Sequence, residues 1–352
     1  LGTLVSDLGH KKGSMMAITA RILGTGRSYP EGVLTNADLE RMVETSDEWI
    51  TSRTGIRQRH KAAEGEYTSL FAVRAARQAI ERAQIDPAEI DLLICATVTP
   101  DQLLPSTGCI IQTELGAHKA AAFDVVAACS GFLYGVTLAN QMIRGGQSRY
   151  ALVIGAEVLT RYVDYTDRST CVIFGDGAGA ALLGPAKEGA HGIIGTRIER
   201  GILGTRIRSD GRFAESLYAP GGGTRLGITA DNVTTGQHYF RMKGNELFKV
   251  AVRSMADVSR EVLEDAGYAG EDVKLFIPHQ ANQRITDAVA NNLKVDNSIV
   301  YSNIAMHGNT SSASIPIALD ECVEQGRLSE GDLVLLASFG GGVTWGAVLM
   351  RW

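Results

Sequence analysis

The chain has 352 residues, of which 45% are hydrophobic, and a formal net charge of −5. That length suits about two domains or one large α/β body with a sizeable core. The acidic balance, the lack of a long Lys/Arg run and the lack of any apolar run near ~18 residues point away from nucleic acid and from a membrane span.

Residues 1–15 are polar and patternless and read as a tag or a disordered start. From there helix and strand alternate. Leu70 to Gln84 is Ala-rich with apolar residues at helical spacing, and Ile90 to Val98 is a β-branched run that predicts a buried strand. A helix is predicted over Ser106 to Leu115, a strand over Ala121 to Val126, a long helix over Ser130 to Arg144 and a strand over Tyr150 to Gly155. Cys171 to Leu183 reads as one glycine-bearing strand, with G-D-G-A-G-A marking a place where two sheets pack closely. Gly184 to Gln237 is Gly-rich and polar and predicts hairpins or a surface excursion.

The second half repeats the theme. Helices are predicted over Met242 to Ala266, Ala281 to Leu293 and Thr310 to Gln325, and strands over Val273 to Pro278, Asp332 to Ser338 and Val343 to Trp352. Such alternation means buried, mostly parallel sheets, and the likeness of the halves hints at duplication. The division reads as 16–188 and 189–352.

Five cysteines, widely spaced and without a C-x-x-C pair, argue against a disulfide frame or a zinc site and suit a reducing cytoplasm. Cys129 stands apart, in A-F-D-V-V-A-A-C-S-G-F. A strand–Cys–helix context sets its sulfur near a helix N-terminus, which favours the thiolate; a buried inert thiol is the other reading. His279 follows a strand in L-F-I-P-H-Q-A-N, where α/β proteins keep their sites. Asn309, in G-N-T-S-S-A-S, serves either as a helix cap or as an amide donor to developing charge. His60, His118, His191 and His238 read as surface residues. In S-F-G-G-G-V-T-W-G, the glycines let backbone N–H groups face a ligand, as an oxyanion hole or as a plain turn.

Six motifs in this order resemble the β-ketoacyl-acyl carrier protein synthase III family, from about Met16 to Trp352: T-S-D-E-W-I-T-S-R-T-G-I, D-V-V-A-A-C-S-G-F, D-R-S-T-C-V-I-F-G-D-G-A-G-A, P-H-Q-A-N, G-N-T-S-S-A-S and F-G-G-G-V-T-W-G. The resemblance implies the thiolase fold: an α/β body of two similar βαβαβαββ halves in five αβαβα layers, working as a cytoplasmic homodimer. It implies an acyl-CoA primer, malonyl-acyl carrier protein as second substrate, and no metal or redox cofactor. Cys129, His279 and Asn309 would be the catalytic triad, with the N–H groups of Cys129 and Gly341 as oxyanion hole. Trp49 and Arg168 would sandwich the CoA adenine near Arg53, while Gly244, Phe248 and Asn282 would line the pantetheine tunnel. Phe339 and Leu104 would shape the acyl pocket, the latter lent across the dimer. Lys249 and Arg284 would meet the acidic carrier protein.

Two positions depart from the family pattern: Leu104 where a bulky aromatic is common, which leaves primer length open, and Asn291 where a basic residue is expected. A condensing enzyme of secondary metabolism would share the triad. A non-catalytic subunit would lose the cysteine, and a thiolase would carry a second cysteine near the C-terminal glycines, where Phe339 to Trp345 has none.

Overall fold

The computed structural model describes residues 19–186 and 200–352; the predicted start (1–15), the 188/189 boundary and His191 lie outside the described residues. Two sheets organise them. The first runs Ala20–Ser28, Gly177–Pro185, Ala151–Glu157, Leu92–Ala96, Ala121–Val125 in spatial order. Its successive pairings are antiparallel, antiparallel, parallel and parallel. The second runs Gly201–Ser209, Thr344–Arg351, Leu333–Gly340, Leu275–Pro278, paired antiparallel, antiparallel and parallel. A parallel bridge from Phe276 to Val300 stands where a fifth strand would continue it. The second sheet thus repeats the order and sense of the first.

Helices fill three layers around these sheets. Thr68–Ala83 and Thr107–Leu115 cover the outer face of the first. Gly131–Arg144 and Ser314–Glu324 lie between the sheets. Gly244–Asp265, with Gln283–Leu293 packed on it, covers the outer face of the second. Strands covered on both faces need no alternation, so Leu92–Ala96 and Ala151–Glu157 are buried at every position. The arrangement is the expected five-layer αβαβα body.

Several expectations change. Gly201–Ser209, inside the predicted surface excursion, is an edge strand of the second sheet. Its alternation is blurred by glycine and arginine, and pairing with Thr344–Arg351 decides it. The single strand predicted over Cys171 to Leu183 is a short helix, Arg168–Cys171, followed by the strand Gly177–Pro185. Its glycines admit a helix, not a second sheet: a Cβ on Gly179 would lie 2.6 Å from the Ile317 nitrogen at the start of Ser314–Glu324. The apolar run Ile90 to Val98 holds the interior strand Leu92–Ala96, so it offers no surface to a second subunit. One edge of the first sheet is Ala121–Val125, next to exposed Val126; the other is Ala20–Ser28.

Candidate active site

A cavity of about 620 Å³ opens between the two halves. Cys129 lines it from a tight turn. The strand Ala121–Val125 ends, Ala128 takes a left-handed φ of 47°, and Cys129 follows just ahead of the helix Gly131–Arg144. Cys129 is 7% exposed. The second sheet pins the turn: the Ser338 hydroxyl donates to the Cys129 carbonyl at 2.7 Å, and Thr344 donates to the Ala127 carbonyl at 2.7 Å. Gly340 must be glycine here, because a Cβ would stand 2.6 Å from the Cys129 nitrogen. The N–H groups of Cys129 and Gly341 both reach the thiol sulfur.

Burial pushes the Cys129 thiol up to about 12, against the pull of the Ser311 hydroxyl and those two N–H groups. The resting group is therefore a neutral thiol, and the thiolate expected from the helix N-terminus is outweighed by desolvation.

His279 sits at the end of Leu275–Pro278, 2% exposed, with its backbone N–H donating to the Ala337 carbonyl at 2.8 Å. Burial pulls its pKa down to about 3, so the ring is neutral. Nδ1 lies 2.6 Å from the Ser314 hydroxyl. Asn309 is held by its backbone: its N–H donates to the Ile173 carbonyl at 2.9 Å and its carbonyl accepts from Gly175 at 3.0 Å. Gly308 precedes it at φ 66°, where a Cβ would press on the Ile173 oxygen at 2.9 Å. The Asn309 Oδ1 accepts from the Ser311 N–H at 2.8 Å, which leaves the amide NH2 unused inside the cavity. The cap-like bond uses the oxygen alone, so it does not occupy the amide donors.

Trp49, Arg53, Arg168, Gly244, Phe248, Lys249, Asn282, Arg284, Phe339 and Gly341 also line this cavity. Arg168 lies directly over the Trp49 ring, 4.6 Å from its centroid. A planar base between them needs about 7 Å, two stacking contacts, so the pair must part to form a sandwich. Asn282 caps the helix Gln283–Leu293 with its Oδ1 and donates one N–H to the Arg53 carbonyl at 3.0 Å, which leaves its second N–H for a ligand. Leu104 alone among the expected residues is elsewhere: it is 84% exposed beside Leu103 at 95% and does not line the cavity.

Sequence reading missed Phe174, Leu217 and Ser314. Leu217 comes from the stretch taken as a surface excursion. Ser314 stood in the motif that carries Asn309, which was the available signal. His60 is not a free surface residue, since it stacks on Tyr29 at 4.8 Å and on His307 at 5.3 Å. His307 in turn pairs with Glu321 at 2.8 Å, outside the cavity. Among the described residues, no group of three or more His, Cys, Asp or Glu side chains could hold a metal ion.

Residues 123–201 match the family described as 3-Oxoacyl-[acyl-carrier-protein (ACP)] synthase III, and residues 263–352 match its C-terminal part. The β-ketoacyl-[acyl-carrier-protein] synthase III of Natranaerobius thermophilus is 48% identical over 333 residues, 95% of this chain and 99% of that protein. The chain belongs to the β-ketoacyl-acyl carrier protein synthase III family. Its fold agrees: the crystal structure of 3-oxoacyl-[acyl-carrier-protein] synthase III from Aquifex aeolicus superposes with a TM-score of 0.86 at 48% identity, covering 95% of this chain and all of that one. The priming β-ketosynthase of the R1128 polyketide pathway superposes with a TM-score of 0.85 at 34% identity, covering 95% and 96%. Members of this family are condensing acyltransferases of the thiolase fold, and this chain is one of them.

Proposed function

We propose that the cavity joins an acyl-CoA primer to malonyl-acyl carrier protein, giving 3-oxoacyl-acyl carrier protein, CoA and CO2, and so starts type II fatty acid synthesis. One observation carries this reading: Cys129, His279 and Asn309 come from three distant segments and meet in one cavity, with the Gly341 N–H at the sulfur.

The Cys129 sulfur attacks the primer thioester carbon, and its proton leaves with the CoA thiolate. The N–H groups of Cys129 and Gly341 hold the oxyanion. CoA departs and the acyl group stays on sulfur. The malonyl group of the carrier protein then loses CO2, and the electron pair of the broken C–C bond becomes an enolate. The enolate carbon attacks the acyl carbon, the C–S bond breaks with its electron pair returning to the Cys129 sulfur, and that sulfur takes a proton from solvent to restore the thiol.

His279 and Asn309 serve as donors to the enolate oxygen. Among the described residues Nδ1 of His279, at 2.6 Å, is the one hydrogen-bond acceptor found for the Ser314 hydroxyl, so in this reading the Ser314 proton goes to Nδ1. A neutral ring accepting at Nδ1 carries its proton on Nε2, which supplies the donor. The Asn309 NH2 supplies the second. The chemistry calls on no metal or redox cofactor.

Trp49, Arg53 and Arg168 would hold the nucleotide end of CoA; Gly244, Phe248 and Asn282 the pantetheine arm; Phe339 the acyl chain. Exposed Lys249 and Arg284 at the mouth suit an acidic carrier protein. The halves divide as 16–188 and 189–352. The free edge Ala121–Val125, with exposed Leu103, Leu104 and Val126, suits a second copy, which would bring Leu104 to the neighbouring cavity. No helix among the described residues is long and apolar enough to cross a membrane, and the reading places the enzyme in the cytoplasm.

The test is intact mass after incubation with acyl-CoAs from acetyl to long-chain, beside Cys129→Ala. One acyl group gained only with Cys129 present supports the reading and names the primer class; no retained acyl group overturns it. The likeness to a polyketide priming enzyme keeps a secondary-metabolite acceptor as a second reading, which assay with both carrier proteins resolves.

A further inference from the structure

Beneath the nucleophile turn lies a carboxyl group that the reaction above does not use. Glu157 ends the strand Ala151–Glu157 and is 1% exposed. Burial and hydroxyl or N–H donors, rather than a cation, are the main influences on its charge. Its Oε2 accepts three donors: the Thr99 hydroxyl at 2.7 Å, the Val98 N–H at 3.0 Å and the Thr97 hydroxyl at 3.2 Å. Its Oε1 faces the Ser312 hydroxyl at 2.9 Å.

Ser312 decides the protonation state. Its oxygen lies 2.8 Å from the Ala96 carbonyl and 2.9 Å from Glu157 Oε1. A hydroxyl has one proton. With a carboxylate at Oε1, one of these two close oxygen pairs would have no proton between them. With a carboxylic acid both are satisfied: the Glu157 O–H donates to Ser312, and Ser312 donates to the Ala96 carbonyl. Burial also raises the Glu157 pKa.

The position gives this proton a consequence. Ser312 follows Ser311, whose N–H fixes the Asn309 amide, and the Ser311 hydroxyl reaches both Glu157 and the Cys129 thiol. Gly155 lets the turn come close, since a Cβ there would lie 2.2 Å from the Ser312 carbonyl oxygen. The titratable groups facing Glu157 are the thiols of Cys129 and Cys95. An ionised Glu157 would oppose every negative charge that forms on Cys129.

We propose that Glu157 works as an uncharged acid: it donates to Ser312, Ser312 donates to the Ala96 carbonyl, and this chain fixes the turn bearing Asn309 without setting an anion beside the nucleophile. Glu157 is thus a positioning residue, and its role rests on Cys129 being the nucleophile.

Infrared spectroscopy and thiol alkylation test it on the full chain. Wild type shows a carboxylic-acid C=O band that persists through neutral pH and is absent in Glu157→Gln. Alkylation of Cys129 by iodoacetamide at neutral pH stays within about twofold in Glu157→Gln, because no charge is removed. Glu157→Leu lowers kcat with KM for acyl-CoA unchanged, and Glu157→Gln restores it. Should Glu157→Leu fail to fold, Ser312→Ala gives the second reading, shifting the same band and lowering kcat at an unchanged alkylation rate. Absence of the acid band in wild type overturns the proposal. So does an alkylation rate about tenfold higher in Glu157→Gln, the signature of a removed anion that had raised the thiol by one pKa unit. The infrared band does not depend on Cys129, so its presence with no acyl group on Cys129 would fault the nucleophile assignment alone.

Discussion

Gly340→Ala is a single methyl group aimed at the nucleophile. The added Cβ would stand 2.6 Å from the Cys129 nitrogen and 3.1 Å from the Ser130 nitrogen. Ordinary contact begins near 3.5 Å, so the turn must retreat by about 0.9 Å. Both neighbours are backbone, and no rotamer change relieves them. Retreat also stretches the bonds from Ser338 to the Cys129 carbonyl and from Thr344 to the Ala127 carbonyl, each 2.7 Å, because their donors sit on the same pair of strands as Gly340. Overpacking of this kind costs about 1–3 kcal/mol, a fall in Tm of several degrees for a chain of this size. The catalytic loss should be larger, since misplacing a reacting atom by about 1 Å costs on the order of 10²-fold. The assay is the rate of acyl-enzyme formation by rapid-quench mass spectrometry, beside a thermal melt. Gly227→Ala is the control, because nothing lies within 4 Å of its added Cβ. Acylation within about twofold of wild type in a folded Gly340→Ala protein would refute the claim that this glycine sets the nucleophile.

The remaining predictions concern charge and surface. With the thiol pushed up to about 12, Cys129 alkylation should rise about tenfold per pH unit through the neutral and mildly alkaline range, and a plateau near neutrality would show that burial does not dominate. His279, pulled down to about 3 from its ordinary ~6.5, makes the unfolded chain bind a proton that the native state refuses. Stability should therefore fall as pH drops between those values, by up to about 1.4 kcal/mol per unit, and His279→Gln should flatten the urea midpoint against pH; an unchanged slope would refute it. Trp49→Ala should raise the acyl-CoA KM by roughly tenfold while leaving the acylation rate at saturation nearly unchanged; an unchanged KM would remove Trp49 from the CoA site. Leu103→Asp with Val126→Asp should yield monomers by light scattering, and persistent dimers would place the interface elsewhere.

Much of this protein was legible in its residues. Strands such as Leu92–Ala96 declared themselves because burial on both faces demands an unbroken apolar run, and the helix Gly244–Asp265 because one buried face imposes helical spacing. Cys129, His279 and Asn309 stood at strand ends or in glycine-flanked turns, where side chains are presented rather than packed. Gly201–Ser209 was not legible, because an edge strand half open to solvent carries a weak pattern and owes its existence to Thr344–Arg351, far along the chain. The thiolate expectation failed for a related reason: a helix N-terminus is local and visible in sequence, whereas the desolvation that outweighs it comes from elements folded over Cys129 from elsewhere. The sequence by itself determined the layered α/β class and the family, and it named Cys129, His279 and Asn309, which the fold gathers in one cavity. Only the tertiary structure decided which glycines admit a neighbouring backbone and which carboxyl group lies buried beneath Cys129, because each depends on contacts between residues far apart in the chain.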